Sequence, residues 1–449
     1  MFTLMTDTKH SKQTARAQTD ELVGKGQRYY VPNYKPREMI LDRGEGAVLF
    51  DLEGNDYVDL GSGIGVNSLG HQHPELVKAL SEQAGKLWHT SNIFYTEPAI
   101  KLAELLVDKS DFAKRAFFCN SGAEANEAAI KLARKYAADA GRAPDHREII
   151  TFKGSFHGRT LATVTATAQP KYQEGFEPLP GGFVYAAAYN DEEAFDAVFS
   201  ERTCAVLVEP VQGEGGVIPA KAGFLKYLRE RCDEVGALLM LDQVQCGMMR
   251  TGKLFSHWHE EGVKPDTVSL AKALGCGLPI GALLVGDKAA ETLQFGSHGT
   301  TFGGNPIASA VAHKALEILA HKDTGANVQA RHEQLVGALE KINASLGCFA
   351  EIRGRGLMMG AELAEKWHGK AGDISEAARK AGVLVLVAGP NVCRFLPPLV
   401  ISEAELSLGM HRFEAALTQY IEAGGTGEDA SATAPKGGIL DRAMRWIFQ

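Results

Sequence analysis

The sequence predicts an α/β protein, with a doubly wound, mostly parallel central sheet carrying helices on both faces and a smaller α+β domain beside it. Two observations carry this. The runs Glu148–Phe152, Cys204–Val208, Ala237–Leu241 and Ala282–Val285 are near-continuously apolar and bounded by Gly, Pro or Asp, the pattern of parallel strands buried on both faces. Ahead of them, Pro74–Lys86, Pro98–Val107 and Ala123–Ala138 place apolar residues at three- and four-residue spacing, the last through Ala125, Ala128, Ala129, Leu132 and Ala133, which predicts helices. In this class the functional residues belong at the carboxyl ends of the strands.

The remaining elements follow in order. Met1 to Lys35 is polar and weakly periodic, which predicts an arm or frayed extension. Ala47 to Leu60 alternates around Glu53-Gly54-Asn55 and predicts two short strands joined by a turn. Ala308–Ala320 and Ala326–Leu346 read as helices, and Glu351–Leu363 and Val383–Pro397 as strand-like pieces of the second domain. Gly424 to Gly438 is rich in Gly, Ser, Thr and Ala, which predicts a flexible tail, with a short docking helix over Ile439–Phe448.

Composition narrows the function. With 449 residues, 45% hydrophobic and 23% charged, the chain is globular rather than disordered, fibrous or disulfide-stapled. The 47 basic and 55 acidic residues give a net charge of -8 with no long basic run, so nucleic acid is not an expected partner. No apolar stretch approaches the ~20 residues that span a bilayer, and Thr6 to Gln27 runs polar, so neither a membrane nor a secretory route is expected and a cytosolic enzyme is. The seven cysteines are scattered, never paired as Cys-x-x-Cys, and read as buried thiols. His71 and His73 precede Pro74 with no further ligand near; they read as structural, and no metal site is expected.

Three segments could carry chemistry. Asn120-Ser121-Gly122-Ala123-Glu124 follows an apolar strand and opens a helix, so free backbone N–H groups at Ser121 to Ala123 would attract a phosphate; the same spacing also suits a plain capping box from Ser121 to Glu124. Asp242 ends a hydrophobic strand, where a carboxylate needs a cation or a donor. At about 4 Å a protonated ring nitrogen would gain roughly 4 kcal/mol, about three pKa units, although an Asp there could also cap the next helix. Lys272 is the one charge in Ser269–Gly277; desolvation would suit it to Schiff-base chemistry, and snorkelling to solvent is the alternative.

These segments, in order with Gly154-Ser155-Phe156-His157-Gly158-Arg159-Thr160, Glu209-Pro210-Val211-Gln212-Gly213-Glu214-Gly215-Gly216 and His298-Gly299-Thr300-Thr301-Phe302-Gly303-Gly304-Asn305-Pro306, resemble the class III (subgroup II) aminotransferases, most nearly their acetylornithine/succinylornithine branch. The resemblance runs from about Tyr34 to about Ala423. It implies the fold type I of pyridoxal-phosphate enzymes, with an arm at 1–35, a small domain from 36–78 and 308–423, a large cofactor-binding domain at 79–307 and a tail at 424–449. It implies pyridoxal 5'-phosphate as cofactor and a homodimer with shared sites.

Position by position, the resemblance makes Lys272 the Schiff-base lysine and proton carrier, Asp242 the partner of the pyridine N–H, Gln245 the contact to the ring's phenolic oxygen, and Phe156 and Val244 the residues that sandwich the ring. Ser121, Gly122 and Ala123 would bind phosphate, with Thr301 given by the partner subunit and Thr300 beside it at the substrate. Arg159 would hold the α-carboxylate of an acylated ornithine or the side-chain carboxylate of glutamate. Arg394 would take glutamate's α-carboxylate, and Glu214 would neutralise it in the other half-reaction. Ile64 stands where ornithine aminotransferases resemble one another in a tyrosine; an isoleucine leaves a free α-ammonium unpaired and favours an acylated nitrogen. The expected reaction moves the δ-amino group of N2-acetylornithine to 2-oxoglutarate, with succinylornithine, succinyldiaminopimelate and 4-aminobutyrate as alternative donors and a catalytically silent cofactor-binding dimer as the alternative to an enzyme. One departure is Gln243 in Asp242-Gln243-Val244-Gln245, where the family usually has Glu; it is expected to remove a negative charge beside the cofactor.

Overall fold

The apolar runs pair into a seven-stranded sheet in the order Ala113–Cys119, Gly281–Gly286, Thr267–Leu270, Leu238–Asp242, Thr203–Val208, Glu148–Phe152, Phe183–Ala186, seen in a computed structural model that describes residues 3–425. Neighbours from Thr267–Leu270 to Phe183–Ala186 are parallel. Gly281–Gly286 is antiparallel to the strands on both sides, which corrects the expectation of a parallel strand there. Buried on every residue, it reads as a continuous apolar run whichever way it points. The link at residues 271–280 is also shorter than the dozen or so residues a parallel crossover needs.

The helix Gly122–Asp139 lies on this sheet through buried Ala125, Ala128, Ala129, Leu132 and Ala133; small side chains let its axis come close to the strands. The predicted hairpin is present, with Val48 opposite Val58 and Gly54 at φ +80° in the turn. It belongs to a four-stranded sheet of Leu41–Glu45, Val48–Asp51, Asp56–Asp59 and Val383–Leu384. That sheet joins the early chain to the late chain, since Val383 pairs in parallel with Val58. A second four-stranded sheet of Phe349–Arg355, Met358–Leu363, Val392–Phe395 and Leu386–Val387 is antiparallel, and the helices Ala371–Lys380 and Glu403–Glu422 pack on these pieces.

The early chain departs from expectation. Thr3–Tyr29 is a helix rather than a frayed extension. It lacks an apolar stripe, so periodicity does not reveal it; pairs such as Arg16–Asp20 and Lys25–Glu21 at i,i+4 support it instead. The predicted tail and docking helix beyond residue 425 lie outside the described residues. All seven cysteines are free thiols, six of them buried. His71 accepts its expected structural role by pairing with Asp59 at 2.9 Å. Among the described residues no helix is long and apolar enough to cross a membrane.

Arg250 joins the large sheet to the smaller one. It is fully buried, donating to the carbonyls of Leu357 at 2.9 Å and Pro397 at 2.5 Å and to the hydroxyls of Ser68 and Ser62 at 3.0 and 3.5 Å. Among the described residues it has no carboxylate partner, and burial pushes its pKa down to about 9. Ser62 in turn donates to Leu396 O at 2.5 Å. Replacing Arg250 with Met keeps the bulk and strands two carbonyls, so Arg250→Met is expected to lower stability by about 2–4 kcal/mol in denaturant unfolding; an unchanged midpoint would contradict this role.

Candidate active site

Six strands of the large sheet point one way, so their carboxyl ends share an edge. Ser121, Gly154, Glu209, Asp242 and Lys272 all lie at or just past such ends, which is where the class puts its chemistry.

The turn after Ala113–Cys119 carries the serine cap but not the reciprocal capping box, since Glu124 reaches Asn120 N–H instead of Ser121 N–H. Ser121 is the cap: its Oγ accepts from Glu124 N–H at 3.2 Å, and the Glu124 carboxylate accepts from Asn120 N–H and Nδ2, each at 2.8 Å. These bonds leave the N–H groups of Gly122 and Ala123 without an acceptor among the described residues, at the positive end of an 18-residue helix. Gly122 is required by close approach, because a Cβ there would sit 2.7 Å from Val244 Cγ1.

Asp242 is clamped. Its Oδ2 accepts from Asn126 Nδ2 at 2.7 Å and from His157 Nδ1 at 2.8 Å, and its Oδ1 accepts from Val244 N–H at 3.0 Å. The carboxylate acceptor fixes the His157 proton on Nδ1; Nε2 has no partner. His157 and Asn126 are neighbours of Asp242 that sequence reasoning passed over, although His157 stood inside the motif Gly154–Thr160 and Asn126 lay two residues past Glu124. Lys272, two residues past Leu270, has a left-handed backbone, φ +45°, and its Nζ makes no hydrogen bond among the described residues. Burial lowers its pKa against the pull of nearby Glu214. Glu209 is a third residue that went unassigned. Its carboxyl takes Phe156 N–H at 3.0 Å and Gly213 N–H at 3.4 Å, and burial, with Asp242 beside it, pushes its pKa well above the carboxylate range.

Arg394, at 3% exposure, donates Nη1 to Glu214 Oε1 at 2.5 Å and to Gln245 Oε1 at 3.2 Å. Burial works to raise the Glu214 carboxyl, but the Arg394 guanidinium outweighs it and the net position is below the ordinary range. Arg159 is exposed, 5.3 Å from the Phe156 ring centroid. Ile64 is 44% exposed with φ +64°, a strained conformation for a β-branched residue. Its loop is fixed by Asp59, whose Oδ1 accepts from Gly61 N–H at 3.0 Å and Ser62 N–H at 2.7 Å. Thr300 Oγ1 accepts from Asn120 Nδ2 at 3.0 Å. Thr301 is exposed, and among the described residues no hydrogen bond ties it to the site.

The expectation for Gln243 needs correction. Its side chain leaves the site: Oε1 accepts from Ser256 N–H at 2.6 Å, so Nε2 donates to His257 Nδ1 at 2.7 Å. The charge lost relative to a glutamate is therefore lost beside buried His257, while Asp242 on the other face keeps its own partners.

A phosphorylated pyridine needs an anion cradle, a carboxylate for a cationic ring nitrogen and a lysine amine. The free N–H groups of Gly122 and Ala123, the clamped Asp242 and the unpartnered Lys272 supply them at one sheet edge, and these residues fit pyridoxal 5'-phosphate.

Comparison with known proteins agrees with that chemistry. Acetylornithine aminotransferase of Xanthomonas axonopodis pv. citri (strain 306) is 58% identical over 394 residues, 88% of this chain and 96% of that protein. The crystal structure of N-acetylornithine aminotransferase from Stenotrophomonas maltophilia K279a matches with a TM-score of 0.79 at 48% identity, covering 89% of this chain and 100% of that one. An ornithine aminotransferase structure from Toxoplasma gondii, described as showing partial occupancy of PLP at its active site, matches with a TM-score of 0.86 at 32% identity, covering 90% of this chain and 95% of that one. Residues 29–417 match the aminotransferase class-III family, and the chain belongs to that family.

Proposed function

We propose that this protein is a pyridoxal-phosphate transaminase that moves the δ-amino group of N2-acetylornithine to 2-oxoglutarate, giving N-acetylglutamate 5-semialdehyde and glutamate. The observation that carries it is the meeting, at the carboxyl edge of the large sheet, of an unpaired desolvated lysine and a clamped carboxylate, with Arg394 paired to Glu214 facing them from the smaller sheet. The cofactor, when bound, supplies an electrophilic carbonyl and an electron-withdrawing ring that carries the amino group from one substrate to the other.

The chain's own residues do the rest. Lys272, lowered by burial, keeps a larger neutral fraction near pH 7 than an ordinary lysine, so in each half-reaction its Nζ can carry a proton between the substrate carbon and the cofactor carbon. Asp242 Oδ1, with only Val244 N–H on it, has a lone pair for a ring N–H, while Asn126 and His157 stop the carboxylate turning away. Gly122 and Ala123 N–H groups take the phosphate, Phe156 and Val244 bound the ring and Gln245 faces its phenolic oxygen. Arg159 takes the carboxylate common to both substrates. Arg394 binds the second carboxylate of glutamate or 2-oxoglutarate after Glu214 gives way; with the acylated ornithine bound, the 2.5 Å pair stays closed. Ile64 offers no acceptor to a free α-ammonium, so the acylated nitrogen is preferred.

We also infer that two copies share the site. Ile93, Phe94 and Tyr95 are 78%, 64% and 95% exposed, and Phe302, next to Thr301, is 60% exposed, an apolar surface that a second copy would cover. Sedimentation should give about twice 48.3 kDa, with the cofactor lost as dilution yields monomers; a monomer that holds cofactor would contradict the shared site.

The substrate is tested by the visible spectrum of the purified protein titrated with N2-acetylornithine, N2-succinylornithine, ornithine and 4-aminobutyrate. Acetylornithine should convert the cofactor band at the lowest concentration and ornithine should lag by tenfold or more, about 1.4 kcal/mol. Lys272→Ala should lose at least a hundredfold in transamination. A band that none of the four amines shifts would end the substrate assignment.

A further inference from the structure

The two arginines proposed to hold substrate carboxylates are restrained in opposite ways. Arg394 is held by its N–H edge, through Glu214 and Gln245. Arg159 is held over aromatic rings: its Cζ lies 4.0 Å from the Tyr172 ring centroid and 5.3 Å from that of Phe156, and among the described residues no hydrogen bond or ion pair occupies its guanidinium. The difference matters because the donors of a guanidinium lie in its plane. A carboxylate partner consumes them, whereas a ring under the face orients the group and leaves them free.

Tyr172 is itself well anchored. It closes the short helical turn Pro170–Tyr172, flanked by two glutamines that grip the active-site segments. Gln169 Nε2 donates to Gly154 O at 3.2 Å and Ser155 O at 2.8 Å. Gln173 Nε2 donates to Val164 O, Thr165 O and Thr167 O at 3.2, 3.1 and 2.9 Å. The Tyr172 ring stands edge-on to Phe156, 5.9 Å between centroids at 87°. Lys171 Nζ, 4.6 Å from the same ring centroid, shares its quadrupole but sits on the exposed side chain of a neighbouring residue.

We propose that Tyr172 is a positioning residue that holds Arg159 as a permanently open carboxylate clamp, in register with the ring-bounding Phe156. This rests on the proposed reaction, in which both substrates bring a carboxylate to Arg159. One clamp stays open for whichever substrate arrives, and the other opens only for the substrate with a second carboxylate.

The test uses holoenzyme and the dissociation constant of glutarate by calorimetry, alongside kcat and KM. Tyr172→Leu is expected to raise the glutarate Kd and the KM of both substrates roughly two- to fivefold, with a smaller change in kcat. The cofactor spectrum and the slow transfer from 1-aminopentane, which has no carboxylate, should hold. Tyr172→Phe keeps the ring face and should rescue the affinity. A wild-type Kd in Tyr172→Leu, an equal loss in Tyr172→Phe, or a loss that extends to 1-aminopentane would overturn the inference. If Arg159→Ala weakens glutarate while Tyr172→Leu does not, only the role of Tyr172 falls; if Arg159→Ala leaves glutarate binding intact, the assignment of Arg159 in the proposed reaction falls with it.

Discussion

A carboxylate at the end of a buried strand is tolerable only if its environment answers it, and the answer to Asp242 organises the active edge. Asn126 and His157 converge on one oxygen, leaving the other turned to Val244 N–H. Asn126 stands one turn into the helix whose first N–H groups are free at Gly122 and Ala123. The same helix therefore sets the distance between those free N–H groups and Asp242, the two ends of the proposed cofactor site. His157 ties in the segment that carries Phe156 and Arg159, so the proposed ring wall and the proposed carboxylate clamp share the anchor.

Around that anchor the structure stores readiness rather than contacts. Lys272 and Ile64 both sit in left-handed backbone, which costs of order 1–3 kcal/mol each, and the surrounding hydrogen bonds hold them there. Glu214 and Arg394 neutralise one another in a pair at 2.5 Å, which in the proposed reaction a substrate carboxylate opens. Arg250 locks the loop of Ile64 and the strand of Arg394 against the large sheet through Ser62, Ser68 and Pro397. In the proposed reaction, substrate selection thus depends on how firmly the two sheets are joined.

Much of this was legible in the sequence, for definable reasons. Buried strands announce themselves as apolar runs, and strand-end residues such as Asp242 and Lys272 stand out because charge is rare there. Direction does not show in such a run, so Gly281–Gly286 reads as parallel. Thr3–Tyr29 is hidden because its sequence carries no apolar stripe. His157, Asn126, Glu209 and Tyr172 gain their roles through contacts far along the chain; Asn126 meets Asp242 across 116 positions, and no local spacing encodes that. Gln243 was visible as a departure, but the face it points to depends on Ser256 and His257.

The central claim is that Asp242 keeps a cofactor ring cationic. It is tested most directly by the 15N resonance of the ring nitrogen in protein reconstituted with 15N-labelled pyridoxal phosphate. With roughly 4 kcal/mol of attraction, about three pKa units, the nitrogen should still be protonated at about pH 8. A neutral ring nitrogen at that pH would contradict the account.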